Sequence, residues 1–338
     1  MAAPAVQLGI SQLLRPSRRL TDMRSAIAIV WLVALTPAPV GAQAPLFDFH
    51  SAFWINLHHY LHALGRPGGL TETLPADATA SERQAWTDAV TTYRTRYGMR
   101  SLVFDEELVR VKLVLAAAES REPLEPAGLP DAMYAALVSA APVYRRHAWP
   151  AHDAANRRTI ADAGQLVGRH GRTIATRLAA TFGATWPSTP LRVDFVPDAG
   201  PPGNAYTTND PTHITIAAAD PRHGGLHLLE VLFHEASHGW DATLIREVDA
   251  AATQQGVRVR RDLWHALLFY NAGVITSDVL AAAGIGGYEM YADKEGMFTG
   301  AWPYRPAIAR HWSAFLAGTI SRPDAIARIV TDVATPGK

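Results

Sequence analysis

Residues 231–241 read Val-Leu-Phe-His-Glu-Ala-Ser-His-Gly-Trp-Asp and contain the spacing His234-Glu235-x-x-His238. Residues four apart lie on one face of an α-helix, so both imidazoles can reach one ion. Glu235 follows the first histidine, where its carboxylate can meet a water bound to that ion. A zinc ion lowers the pKa of such a water towards neutrality, and a carboxylate then takes its proton as the water attacks a polarised carbonyl. At the residue frequencies of this chain the HExxH pattern arises by chance roughly 2% of the time, rare enough to read it as a site. The turns before it hold Leu228, Leu229, Val231, Leu232 and Phe233, the apolar lead-in that a buried active-site helix requires.

An HExxH helix preceded by a strand-like segment and followed by a second helix resembles the gluzincin-type zinc metallopeptidases, over about residues 155–295. The resemblance implies a zincin fold, Zn2+ as cofactor and a peptide or protein substrate. It makes His234 and His238 the metal ligands and Glu235 the general base. It also implies a third ligand, usually Glu, from the second helix, but residues 261–274 hold no Glu. The family often places that ligand just after a Trp, and His265 has this place in Leu263-Trp264-His265-Ala266. A neutral imidazole ligates zinc as well as a carboxylate does, and catalytic sites with three His exist. His265 is therefore the expected third ligand, with Asp262, Asp278, Glu289 and Asp293 as alternatives. Three His ligands would leave the site one charge more positive than two His and a Glu, and the bound water more acidic. The metzincin continuation, a Gly and a third His at fixed steps after His238, is not present; Asp241 and Leu244 occupy those positions.

Asp241 shares the ligand face, three residues after His238. A carboxylate there can hold a ligand imidazole by its second nitrogen; a solvated Asp on a helix face is the other reading. Zincins commonly donate to the developing oxyanion from a Tyr or His. Tyr270, Tyr288 and Tyr291 are the candidates, the last two in the glycine-flanked segment 286–296. Core packing with a satisfied hydroxyl is the alternative for each.

To position these groups the chain must supply helices and a small sheet. Apolar residues recur at helical spacing over residues 81–97 (Trp86, Val90, Tyr93) and 105–120 (Leu108, Val111, Leu115), and residues 131–141 form a shorter helix that Pro142 ends or kinks. Residues 47–64 read as a further, aromatic-rich helix. Ser81 followed by Glu82 supplies an N-cap. Residues 154–182 read as one long helix. LRVDFV at 191–196 alternates as a strand, 197–211 is a Pro-, Gly- and Asn-rich loop, and HITIA at 213–217 is a second strand. Helices occupy about 225–253, 260–282, 305–318 and 322–334, the last begun by Ser321-Arg322-Pro323-Asp324. The predicted fold is mainly α with a small β-sheet (α+β). An N-terminal helical region, residues 43–150, precedes a zincin-like catalytic domain, residues 151–338, whose active helix follows the edge strand 213–217. An extended peptide would pair with such an edge through its backbone.

The chain of 338 residues carries 31 Lys+Arg against 31 Asp+Glu and no Cys. That balance excludes chain-wide polyanion binding, which needs excess cations, so no nucleic-acid partner is expected. The lack of Cys excludes disulfides, thiol nucleophiles and Cys-ligated metal, and leaves any tight zinc site to His and carboxylates. Arg15, Arg18, Arg19 and Arg24 precede the apolar run from Ala26 to Leu35, and Val40 and Ala42 suit positions −3 and −1 of a cleavage site. Residues 1–42 read as a signal peptide. Its apolar run is shorter than the about 20 residues that span a bilayer. The mature chain is expected in the periplasm or outside the cell, without a stable membrane anchor; an N-terminal anchor is the alternative.

The segment 47–64 also holds His50, His58, His59 and His62. His58 and His62 have metal-like spacing but no evident third ligand, so with Asn56 they are read as cleft-lining or as the polar face of an amphipathic helix. His227 shares the face of His234 two turns back and is placed at the cleft rim, not among the ligands; His213 and His223 also precede the motif. The reading that results is an exported zinc metallopeptidase. A zinc-dependent hydrolase of non-peptide amides is one alternative. A zincin-fold binding protein without turnover is another, favoured by the missing downstream Glu.

Overall fold

A computed structural model describes residues 44–71, 74–201 and 203–334. The expected signal peptide, residues 1–42, lies outside them. The first element corrects the expected helix over 47–64. Phe47–His50 is a strand, β1, and only Phe53–Gly65 is helical, α1. The sequence Phe-Asp-Phe-His alternates, and Phe47 is buried against Phe233, 5.3 Å between ring centroids. Strand pairing and burial of one face outweigh the helical pattern of the neighbouring residues.

Three helices pack around α1. They are α2 (Ala80–Arg96), α3 (Glu106–Ala118) and α4 (Asp131–His147). The cap of α2 is Thr79 rather than Ser81. Its hydroxyl accepts from the Glu82 N–H while Glu82 returns to the Thr79 N–H, a reciprocal capping box. Pro142 does not end α4. It denies a partner to the carbonyl of Val138, but Val138 is 42% exposed, so water can serve that carbonyl, while buried Ala140, Ala141, Val143 and Tyr144 keep the helix packed. All of α1 is buried. The amphipathic helix expected here is instead enclosed on every side.

The long helix expected over 154–182 is α5 (Trp149–Leu166) and α6 (Arg172–Thr181), joined by a π-helical turn at Val167–Gly171. Gly171 is needed there: a Cβ would lie 2.8 Å from Val167 Cγ1 and 3.1 Å from Leu46 Cδ1. Next come β2 (Leu191–Val196), β3 (Ala205–Thr208) and β4 (His213–Ala217). The sheet order is β1-β2-β4-β3, with β1 and β4 parallel to β2 and β3 antiparallel to β4. The expected edge strand, 213–217, is therefore interior and fully buried. The edge is β3, which lies inside the stretch read as a loop. Only four residues long and flanked by Asn204 and Asn209-Asp210-Pro211, it shows too little alternation to stand out among turn residues.

After the sheet come α7 (Leu226–Ser237), a 3-10 turn at His238–Trp240, α8 (Asp241–Gln255) and α9 (Leu263–Ala282). The C-terminal part adds the short α10 (Tyr291–Lys294), α11 (Arg305–Leu316) and α12 (Arg322–Val333). The fold is thus mainly α with a small four-stranded sheet. The described residues cluster as one compact unit, and β1 joins the N-terminal part to β2. Among the described residues no helix is long and apolar enough to cross a membrane.

Period-two alternation gives the sheet two different faces. Val193, Phe195, Ile214 and Ile216 join the core that contains Leu228, Leu229, Leu232 and Phe233 of α7. Val196, Tyr206 and Ala217 join a second core with α1, α2, α3 and α4. That second face also carries charge. Lys112 of α3, 1% exposed, donates through Nζ to the His213 carbonyl (2.8 Å) and Thr208 Oγ1 (3.2 Å), and sits 4.3 Å from the Tyr206 ring centroid. His213 Nε2 bonds Asp194 at 2.7 Å, Arg192 bridges Asp194 and Glu119, each at 2.6 Å, and His50 reaches Glu119 at 3.1 Å. A polar row thus crosses all four strands.

Burial holds the Lys112 ammonium down to about 7, against the opposing pull of Asp194 and Glu235. Between there and the ordinary lysine value, ~10.4, the unfolded chain holds the extra proton, so this group makes stability rise with pH over that window. Lys112→Met should lack that rise. Near pH 10, where folding no longer costs the lysine a proton, the variant should be less stable by about 1–3 kcal/mol, because the His213 carbonyl and Thr208 hydroxyl lose a buried donor. Urea melts of both proteins at intervals from pH 7 to 10 test this. Parallel pH profiles would show that Lys112 is not titrating there.

Candidate metal centre

His234 lies in the last turns of α7, and His238 stands where α7 passes into the 3-10 turn. His265 is in the first turn of α9, which packs on α7. One ligand atom from each of the three lies within 4.8 Å of the others, and the Nε2 atoms of His234 and His265 are 3.3 Å apart. Zinc–nitrogen bonds of about 2.0–2.1 Å in tetrahedral geometry require ligand nitrogens roughly 3.3–3.5 Å apart. The ring centroids are mutually 5.0, 5.3 and 5.2 Å apart, so all three rings surround one point. Among the described residues this is the one group of three or more His and carboxylates that converges in this way.

The protonation of His234 and His265 suits a cation. Burial is the main cause that drives the His234 imidazole well below its ordinary value and that of His265 to about 3; neighbouring histidines push the same way. Both are neutral at pH 7, the form that ligates metal. His238 is oriented by its second nitrogen: Nδ1 faces Asp241 Oδ2 at 3.3 Å. This is the support expected of Asp241. His234 is held by stacking instead. Its ring lies on Phe269 with centroids 3.5 Å apart and planes at 19°, and its Nδ1 is buried with no hydrogen-bond partner. His265 stacks against Trp264 at 5.0 Å, with Trp302 at 5.2 Å.

Glu235 is 5% exposed and faces the edge strand. Thr207 Oγ1 of β3 lies 2.7 Å from Glu235 Oε2 and 2.9 Å from the Glu235 carbonyl, so one hydroxyl fixes both side chain and backbone. Burial raises the Glu235 carboxyl, while His238, Thr207 and Lys112 act against the rise. A raised carboxylate is a stronger base, as general-base work requires. Thr207 carries no signal in the sequence, because no pattern marks a four-residue edge strand as part of the site.

The tyrosines separate. Tyr291, 2% exposed, has a buried hydroxyl with no partner, and its ring is nearly parallel to Phe269 (6.2 Å, 12°). Burial pushes this phenol up to about 12, with Glu235 among the charges that bear on it, so it stays a donor. Tyr288 corrects the expectation. Its hydroxyl donates to Glu230 Oε2 at 2.5 Å and is committed there. Tyr270 bonds Ser313 Oγ at 3.2 Å.

No family model, curated protein or solved structure matches the chain. The alternative third ligands lie outside the converging group. Asp262 accepts from Arg260 (2.7 Å) and Trp302 Nε1 (3.0 Å), Asp278 from Arg177 (2.6 Å) and Asp293 from Arg305. Glu289 is exposed. The histidines of α1 do not converge either. His58 bonds Tyr93, His59 bonds Tyr206 and the Ile55 carbonyl, and His62 bonds the Arg100 carbonyl. Asn56 bonds Asn156 and the Phe195 carbonyl, so it braces α1 against β2 and lines no cleft. His213 and His223 bond Asp194 and the Gly203 carbonyl. His227 meets the Glu289 carbonyl at 2.9 Å, with its ring beside Tyr288 and Tyr291.

Zinc titration of the metal-stripped protein should give one tight site. His265→Ala should abolish stoichiometric binding, and Asp241→Ala should weaken it about 10–100-fold by releasing the His238 ring. Isothermal titration with Zn2+ reads both, and undiminished affinity in His265→Ala would remove that residue from the ligand set.

Proposed function

We propose that this protein is a zinc-dependent hydrolase of the gluzincin type, acting on peptide bonds, with His234, His238 and His265 as ligands and Glu235 as general base. The observation that carries the reading is the convergence of three imidazoles beside the buried carboxylate of Glu235, which follows His234 on α7. Three protein ligands leave a tetrahedral ion one position for water, the pattern of catalytic rather than structural sites. Bound there, zinc would acidify that water and polarise a carbonyl.

The chain's own groups account for the other steps. Glu235 takes the proton of the attacking water, with Thr207 fixing the carboxylate. In relaying that proton to the leaving nitrogen it completes amide hydrolysis. The Tyr291 hydroxyl donates to the oxygen that gains charge. The edge strand favours a peptide over other amides. The Ala217 N–H donates to the Asn204 carbonyl, and the register continues with Tyr206 opposite Thr215 and Thr208 opposite His213. Alternation then turns the N–H and C=O of Ala205 and Thr207 away from β4, on the strand that also holds Glu235. An extended peptide can pair with those groups. The signal-type sequence of residues 1–42 supports an exported site of action.

Metal analysis of the purified protein, together with hydrolysis of a quenched-fluorescent peptide library by wild type and Glu235→Gln, tests the proposal. Zinc should copurify, and Glu235→Gln should keep the metal while losing roughly 10²–10⁴-fold in rate. Absence of zinc, or full activity in Glu235→Gln, would sink the reading. Turnover of non-peptide amides alone would keep the chemistry and change the substrate.

A further inference from the structure

Between α9 and α10 the chain has no regular structure over Ile285 to Met290, yet it carries Tyr288 and leads directly into Tyr291. Two side chains of α7 hold it. His227 bonds the Glu289 carbonyl, and Glu230 Oε2 accepts from both the Tyr288 hydroxyl (2.5 Å) and the Tyr291 N–H (3.0 Å). Glu230 is fully buried, and these two partners are neutral donors rather than cations. An acid in such a place costs stability unless it is fully bonded. Its other oxygen, Oε1, has no partner at all. The fold even makes room for it on the neighbouring helix: a Cβ at Gly273 of α9 would lie 3.0 Å from Oε1 and 2.8 Å from Met290 Sδ. A Leu or Met at 230 would fill this space without the polar cost, so the carboxyl serves something other than packing.

Glu230 is one turn before His234, on the same helix face. The segment that it holds ends in Tyr291, whose ring packs on the far partner of the His234 stack, Phe269, and whose hydroxyl is buried and unpaired. We infer that Glu230 is a positioning residue, which clamps Tyr288 and the Tyr291 amide so that the Tyr291 hydroxyl is held ready for a substrate oxygen. One helix then fixes both His234 and the hydrogen-bond donor, so their separation does not depend on the loop. Tyr288 contributes by anchoring the loop and not by meeting substrate. The inference rests on the hydrolase reading for its catalytic part; the clamp itself does not.

Two measurements test it. The first is amide hydrogen exchange over 285–291 in the zinc-loaded protein. Glu230→Ala should speed exchange at Tyr291, whereas Glu230→Gln should not, because a single amide oxygen can accept both bonds. Tyr288→Phe, which removes one hydroxyl and no packing volume, should give an intermediate rate and guards against a poorly folded alanine variant. Unchanged exchange in both Glu230→Ala and Tyr288→Phe would overturn the clamp. The second is a double-mutant cycle on a peptide cleaved by wild type and spared by Glu235→Gln. Glu230→Ala should keep its zinc and lose roughly 10–100-fold in kcat with little change in KM, and that loss should vanish in a Tyr291→Phe background. Equal losses in both backgrounds, or a loss in Glu230→Gln as large as in Glu230→Ala, would show a merely structural role. A wild type that cleaves no peptide would defeat the hydrolase reading, while the exchange data would still decide the clamp.

Discussion

The packing of α9 on α7 is the constraint on which the site depends. One helix supplies His234, Glu235 and His238, but two imidazoles on one helix leave half of an ion's coordination sphere open. The third comes only because Phe269 lies flat on His234 and brings the first turn of α9 with it, which places His265 Nε2 3.3 Å from His234 Nε2. The stack also explains how His234 keeps its orientation with no partner on Nδ1: an aromatic face replaces the usual second-nitrogen acceptor. Each imidazole of the trio is thus fixed by a different means, His238 by a carboxylate, His234 by Phe269 and His265 by two tryptophans.

The sheet does for Glu235 what α9 does for the three imidazoles. Thr207 on β3 reaches Glu235 from one face, while Thr208, the next residue, points through the other face to Lys112. Alternation along a strand makes this possible, since neighbouring side chains take opposite sides. The buried ammonium and the buried carboxyl sit on either side of a single layer of backbone and feel one another. The α1–α4 layer, which carries none of the three histidines, therefore still bears on the electrostatics of Glu235.

Much of this is legible in residue types and spacing. The convergence of His234 and His238 follows from helical periodicity, and the approach of Asp241 to His238 follows from the same arithmetic. His265 stands out by its place after Trp264, although periodicity cannot choose between it and the nearby carboxylates; Arg177, which takes Asp278, is distant in sequence, and the bond of Trp302 to Asp262 also spans remote segments. The strands β2 and β4 announce themselves by apolar alternation. The features that stay hidden depend on contacts between remote segments. Glu230 looks like one polar residue in an apolar turn until the 285–290 segment folds back onto it. Tyr288 and Tyr291 look equivalent until one hydroxyl is taken and the other left free. The strand β1 is masked by the aromatic helix behind it, and β3 by the turn residues on both sides.

The pairing of β1 has a consequence for how the chain reaches this state. Phe47 to His50 find their parallel partner only at Leu191 to Asp194, after six helices have been made. No local segment can substitute, because a parallel neighbour requires a crossover. Closing so long a loop is entropically expensive and comes late. During synthesis the first strand therefore stays unpaired, and the sheet unfinished, until more than half of the polypeptide has been made.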